Sequence, residues 1–291
     1  MYRSFVCIVL AAALALNAAA VASPATAQPS DSLRLNLGYD GRLLFVKVLD
    51  IRLQEDVGRT EHASTARISS YGVLDAFKRV HVDAQESGRI VRGDPAPGVF
   101  RHQNLDGKDN REVEVTWEPN DVVTQASPEW TSRGDPPATR EQRLSAVGYL
   151  TAVARLTVTA DKGPCTGSER IFNGKELSEI GFSNPRPAAM TEAEKALGLI
   201  NGVRCDATFR EIAGYKKKTG KARNQGLDRP IEVDFAQIGA EGPWVAARLS
   251  ARTILGPAVI TLARVKMEGH LPEGIVASRA PSLAGGLSRR D

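Results

Sequence analysis

The chain has 291 residues, with 38 Lys plus Arg against 34 Asp plus Glu and only 5% aromatic residues. A net charge of +4, spread along the chain rather than clustered, argues against a nucleic-acid-binding face. Past the first two dozen residues no stretch is apolar enough to form a membrane-spanning helix.

Met1-Tyr2-Arg3 leads into an alanine-rich apolar run over residues 5–22, and then into Ala25-Thr26-Ala27. A charged start, a short apolar centre and an Ala-x-Ala end are the parts of a secretory signal peptide, read here as residues 1–27, with Ala22 before Ser23 as a second cleavage position. A membrane anchor is the alternative, but the run is barely long enough to span and is dotted with small residues and Asn17. Cleavage leaves 264 residues, enough to bury a substantial core, and the expected location is the periplasm.

Residues 28–32 form a polar leader. Residues 33–39 then alternate with period two, and Asp40-Gly41 offers a hairpin turn into a second run over residues 42–56. In that run Leu43, Phe45, Leu49, Ile51 and Leu53 share one face, while Leu44, Val46 and Val48 make the other apolar near its start. A strand apolar on both sides is expected to be covered there. Residues 60–71 are polar and rich in Ser and Thr, residues 77–83 alternate again, and residues 89–98 read as turns. The clearest alternation is residues 111–117, with Val113, Val115 and Trp117 on one side and Glu112, Glu114 and Thr116 on the other.

Residues 119–137 are too broken by proline to hold regular structure for long. Thr139-Arg-Glu-Gln142 then fits a capping box, and Leu144, Val147, Leu150 and Ala154 fall near one face, so one helix is expected over about residues 141–156. Strand patterns return over residues 170–182, 203–215, 230–238, 244–254 and 258–267, with a short helix available over residues 191–199. Residues 276–291 are small, polar and basic and are read as a disordered tail. Many strands at hairpin spacing with one helix in their midst predict a mainly β (α+β) fold. The expected form is a single domain over residues 33–275, a strongly curved antiparallel sheet or half-barrel cradling the helix.

The two cysteines left after cleavage, Cys165 and Cys205, point to a disulfide in an oxidising compartment, with two buried free thiols as the alternative. Closing a loop of 40 residues would stabilise by roughly 4 kcal/mol in the chain-entropy model.

Several short segments appear together in a fixed order: Ser69-Ser-Tyr-Gly72, Pro97-Gly-Val-Phe100, Lys108 to Trp117, Asp135-Pro136, Cys165 with Ile171-Phe-Asn-Gly174, and Cys205 with Ile212-Ala-Gly214. In this order the chain resembles the bacterial exported proteins grouped as domain of unknown function family 3108. That resemblance implies a periplasmic half-barrel similar in shape to the lipoprotein-carrier and lipoprotein-receptor folds of the cell envelope. It implies no activity.

Candidate chemistry is sparse. His62, His81, His102 and His270 are scattered without metal-ligand spacing, no nucleophile elbow or phosphate loop is present, and no cofactor or metal is expected. Glu112 and Glu114, two apart on one strand face, have a spacing compatible with an acid/base pair, though a solvated face explains them as well. Lys216, Lys217, Lys218 and Lys221 make a basic loop, read as a hairpin tip. Leu43, Phe45, Val46, Trp117 and Trp244 are the candidates to line a ligand cavity. The leading expectation is therefore a non-catalytic envelope protein that binds a hydrophobic ligand, lipid or lipoprotein, or an envelope protein. The alternative is a structural or interaction module whose concavity is filled by its own helix; third is a hydrolase using Glu112 and Glu114.

Overall fold

The computed structural model describes residues 31–72, 75, 79–105, 110–158, 163–216, 231–253, 256–272 and 274–275. The signal segment, most of the leader, the tail, and Lys217, Lys218 and Lys221 of the basic loop lie outside the described residues.

Among the described residues, thirteen strands form one antiparallel sheet in the order β7-β6-β5-β4-β3-β2-β1-β13-β12-β11-β10-β9-β8. The first half of the chain runs outward from the middle as β1 (Leu33–Leu43), β2 (Val46–Val57), β3 (Glu61–Ser70), β4 (His81–Val91), β5 (Asp94–Asn104), β6 (Glu112–Trp117) and β7 (Val122–Ser127). The second half returns from the far edge as β8 (Ser168–Phe172), β9 (Leu177–Pro187), β10 (Leu199–Ala213), β11 (Ile231–Ile238), β12 (Trp244–Thr253) and β13 (Gly256–Gly269). β13 then pairs with β1, so the two halves meet in mid-sheet. No ladder joins the edges β7 and β8, and the sheet is not closed into a barrel.

Period-two burial gives the sheet an inner face. Leu33, Leu35, Leu37 and Tyr39 of β1 turn inward together with Leu53, Glu55 and Val57 of β2, Val113 and Val115 of β6, and Val233 and Phe235 of β11. Against this inner face lies α2 (Tyr149–Val158), whose Leu150, Thr151, Ala152, Ala154, Thr157 and Val158 are buried. Leu150 and Val158 share one apolar cluster with β1, β2, β12 and β13. The expected curved sheet cradling a helix is thus the observed architecture.

Four local expectations are corrected. Asp40-Gly41 is no turn: both residues lie inside β1, where a bulge follows Gly41 and a Cβ on Gly41 would sit 2.8 Å from Leu49 Cβ. The chain reverses instead at Leu44 and Phe45, with Leu44 at φ 56°. Residues 89–98, read as turns, are mostly the end of β4 and the start of β5, joined at Arg92 and Gly93. The helix expected over residues 141–156 is two helices, α1 (Arg140–Leu144) and α2, and β7 occupies part of the proline-rich region. A third short helix, α3 (Glu192–Ala196), is capped by Thr191 in the connector where one was foreseen.

The capping box at α1 forms as read: Gln142 N donates to Thr139 Oγ1 at 3.3 Å and Thr139 N donates to Gln142 Oε1 at 2.9 Å. The chain then leaves helical geometry to cover the open seam. Val147 N donates to the Arg170 carbonyl and Phe172 N to the Val147 carbonyl, both at 2.9 Å, so Val147 occupies the free edge of β8. From the other side Trp117 Nε1 donates to the Ala146 carbonyl at 2.9 Å, and His102 Nε2 donates to the Asn173 carbonyl at 3.2 Å. The seam is held by the interhelical segment and side chains where a ladder is missing.

Candidate functional site

The interior of the sheet carries a row of polar side chains directly beneath α2. Register places Leu35, Glu55, Ser64, Glu86 and Phe100 opposite one another on β1 to β5. Glu86 lies at the head of α2, where its Oε2 accepts from Leu150 N and Thr151 N, both at 2.9 Å, and its Oε1 accepts from Thr151 Oγ1 at 2.6 Å. A carboxylate from a strand thus satisfies two helix-start amides that no local cap reaches. The fit demands glycine at position 148, since a Cβ there would sit 2.4 Å from either oxygen of Glu86. Burial raises the Glu86 carboxyl above its ordinary value, against the opposing pull of its hydrogen bonds to Thr151, Leu150 and Gly148.

Glu55, two strands away on β2, is 0% exposed. Neither of its oxygens has a hydrogen-bond partner among the described residues. The nearby Thr157 hydroxyl donates to the Val153 carbonyl at 3.1 Å. Burial pushes the Glu55 carboxyl up to about 7, with Thr157 pulling the other way, and Glu55 helps raise the buried Tyr39 phenol. A carboxylate in such surroundings is held neutral more cheaply than charged.

His62 continues the polar patch on β3. Its Nε2 donates to the Ala96 carbonyl at 3.1 Å, and burial, with Arg155 of α2 adding to it, lowers its basicity. Gly88 is required beside it: a Cβ there would sit 1.9 Å from the Ala96 oxygen and 2.7 Å from His62 Nε2. Arg155 in turn donates to the Pro95 carbonyl at 2.7 Å and to Glu169 at 3.0 Å, tying α2 to β5 and β8. Together Glu86 and Arg155 hold α2 against strands from both halves of the sheet.

The five ligand-cavity candidates do not share a cavity. Phe45 is 90% exposed and Val46 53% exposed at the tip between β1 and β2, next to a half-buried Leu43. Trp117 packs at the seam against Phe100, Val113, Phe172 and their neighbours. Trp244, 1% exposed, lies in a separate cluster with Val203, Phe235 and the two cysteines. The reason is geometric: residues 44–46, apolar on both faces, lie where β1 connects to β2 and are exposed rather than packed under another element. Cys165 and Cys205 do form a disulfide, with Cα atoms 5.3 Å apart, linking the segment before β8 to β10. Lys216, the described member of the basic loop, is exposed beyond β10.

Glu112 and Glu114 point away from α2, on the face opposite buried Val113 and Val115. Glu114 is engaged by Arg101, while Glu112 lines a groove of about 770 Å³ that crosses β13 and β1 to β6. Cations in that groove are matched by acids: Arg67 by Asp83 at 2.6 Å, Arg264 by Asp50 at 3.2 Å and Lys266 by Glu268 at 2.7 Å. No group of three or more His, Cys, Asp or Glu side chains among the described residues converges as a metal site.

Sequence reasoning missed Glu55 and Glu86. The signal was present: Glu55 continues the inward face of Ile51 and Leu53, and Glu86 that of Val82 and Ala84, so each is an acid where alternation calls for an apolar residue.

No family model and no curated protein matches the chain. Among solved structures it is similar to the beta-barrel-like protein of domain of unknown function DUF1849 from Brucella abortus, with a TM-score of 0.42 and 11% identity over 81% of this chain and 97% of that one.

Proposed function

We propose that this protein is a non-catalytic structural or protein-interaction module of the cell envelope, exported by its N-terminal segment, with an interior occupied by its own helix. The observation that carries this reading is α2 itself: a helix with six buried residues, headed by Glu86 and laid against the inner face of the sheet where a ligand would otherwise sit. A disulfide is at home in an oxidising compartment, which supports export. Kinship to the exported family 3108 and to the envelope carrier folds belongs to this proposal and rests on the short ordered motifs. Of the readings weighed from the sequence, the lipid-carrier one loses its cavity residues to three separate places, and the hydrolase one loses Glu114 to Arg101.

The test is a tryptophan-fluorescence titration with a monomeric lipid-mimetic dye. A filled interior gives no saturable change from Trp117 and Trp244. Saturable binding that also shifts their emission would overturn the proposal in favour of a carrier.

A further inference from the structure

The tip between β1 and β2 breaks two rules at once. Its connecting residues, Leu44 and Phe45, are 49% and 90% exposed, with Val46 at 53% and Tyr71 at 54% beside them. Single exposed apolar residues need no explanation, but a contiguous set at the apex of a projection does. Leu44 also has φ 56°, a backbone region that glycine or asparagine enters with less strain, so a large apolar side chain is kept where turn chemistry disfavours it.

The tip is held in place. Leu44 N donates to the Pro257 carbonyl at 2.8 Å, and Leu44 Cδ2 would lie 2.5 Å from a Cβ on Gly256, so the start of β13 braces it from the side. Cations lie on the strands beside it, Arg42 on β1 two residues before Leu44 and Arg252 on β12 opposite Pro257. Arg42 and Arg252, both exposed, have no acidic partner among the described residues. Lys47 sits 4.9 Å from the centre of the Tyr71 ring and pairs with Asp40 at 2.8 Å and Asp50 at 3.4 Å, which occupies the nearby acids.

We propose that this tip is a docking prong for an anionic lipid surface, inserting Phe45 with Leu44 and Val46 at the boundary between headgroups and acyl chains. A convex apolar point suits a soft medium, which closes around it; Arg42 and Arg252 then meet lipid phosphates, and Tyr71, apolar in body and polar at its end, suits the interface. The inference concerns the outside of the sheet and stands whichever way the interior is read.

The experiment is co-sedimentation of the protein, freed of the signal segment proposed above, with vesicles of equal parts phosphatidylglycerol and phosphatidylethanolamine, and with vesicles of phosphatidylcholine. Partitioning onto the anionic vesicles is expected, reduced by at least about tenfold in Phe45→Asp and weakened by Arg42→Glu and by added salt. Because Phe45 is almost fully exposed, Phe45→Asp should keep the parent urea midpoint, and a Phe45→Trp variant should show a blue-shifted emission component only with anionic vesicles. Absence of partitioning, or partitioning that Phe45→Asp leaves unchanged, overturns the proposal. So does a Phe45-dependent dimer in sedimentation without vesicles present, which would make the tip a contact between copies of the chain.

Discussion

Replacing Glu55 with glutamine isolates a fully buried carboxyl whose oxygens have no hydrogen-bond partner among the described residues. The folded protein holds this carboxyl at about 7 against an ordinary 4.5. The folded state therefore binds the proton more tightly than the unfolded one. Stability from this group is complete below pH about 4.5, falls as pH rises toward 7, and is fully lost above it. A difference of that size corresponds to roughly 3 kcal/mol between the two limits. Glu55→Gln removes the titration while keeping the shape, at the cost of an amide that meets the same poor partners. Urea unfolding of both proteins at pH 5, 6, 7 and 8 should give near-equal midpoints at pH 5 and a variant more stable by roughly 2–3 kcal/mol at pH 8. His62 and His102, whose lowered basicity acts in the opposite direction, and Glu86 titrate in both proteins and cancel in the difference. A variant that tracks the parent at every pH, or is the less stable one at pH 8, refutes the reasoning.

Other outcomes follow from the same geometry. Gly148→Ala drives a Cβ to 2.4 Å from the Glu86 carboxylate and should cost about 2–3 kcal/mol in urea unfolding, whereas an average surface Gly→Ala costs little. Glu86→Ala strands the amides of Leu150 and Thr151 in a buried place and should destabilise by about 2–4 kcal/mol, with lost helical circular dichroism reporting that α2 frays first. A Cys165→Ala, Cys205→Ala double variant should lose roughly 4 kcal/mol, read as a lower thermal midpoint that reducing agent does not shift further. Equal midpoints of parent and double variant would contradict this.

What was legible in the sequence were features whose causes are local. The alternation of residues 112–117 and the capping box at Thr139 depend on neighbours a few residues away, and both appear where the pattern put them. The cysteine pairing followed from Cys165 and Cys205 being the two of three cysteines outside the segment read as a signal peptide. Misreadings came where a distant residue decides. Gly41 looked like half of a turn, but it is small because Leu49 crosses it. The break between α1 and α2 has no signal of its own, because Val147 is called out by β8 and Gly148 by Glu86, 62 residues earlier in the sequence. Apolar residues on both faces at 43–46 fit a covered strand and a projecting tip equally well, and only the fold tells them apart.

If α2 is a permanent filling of the sheet, the amides of residues 151–158 must resist exchange as strongly as those of the β1 and β13 strands at its middle. Hydrogen–deuterium exchange of the protein alone, resolved by peptide, reads this directly. Protection of that helix until global unfolding is the expected result. Exchange of its amides on the timescale of frayed loops, while β1 and β13 stay protected, would mean that the helix leaves an open cavity behind and that the interior is a binding site after all.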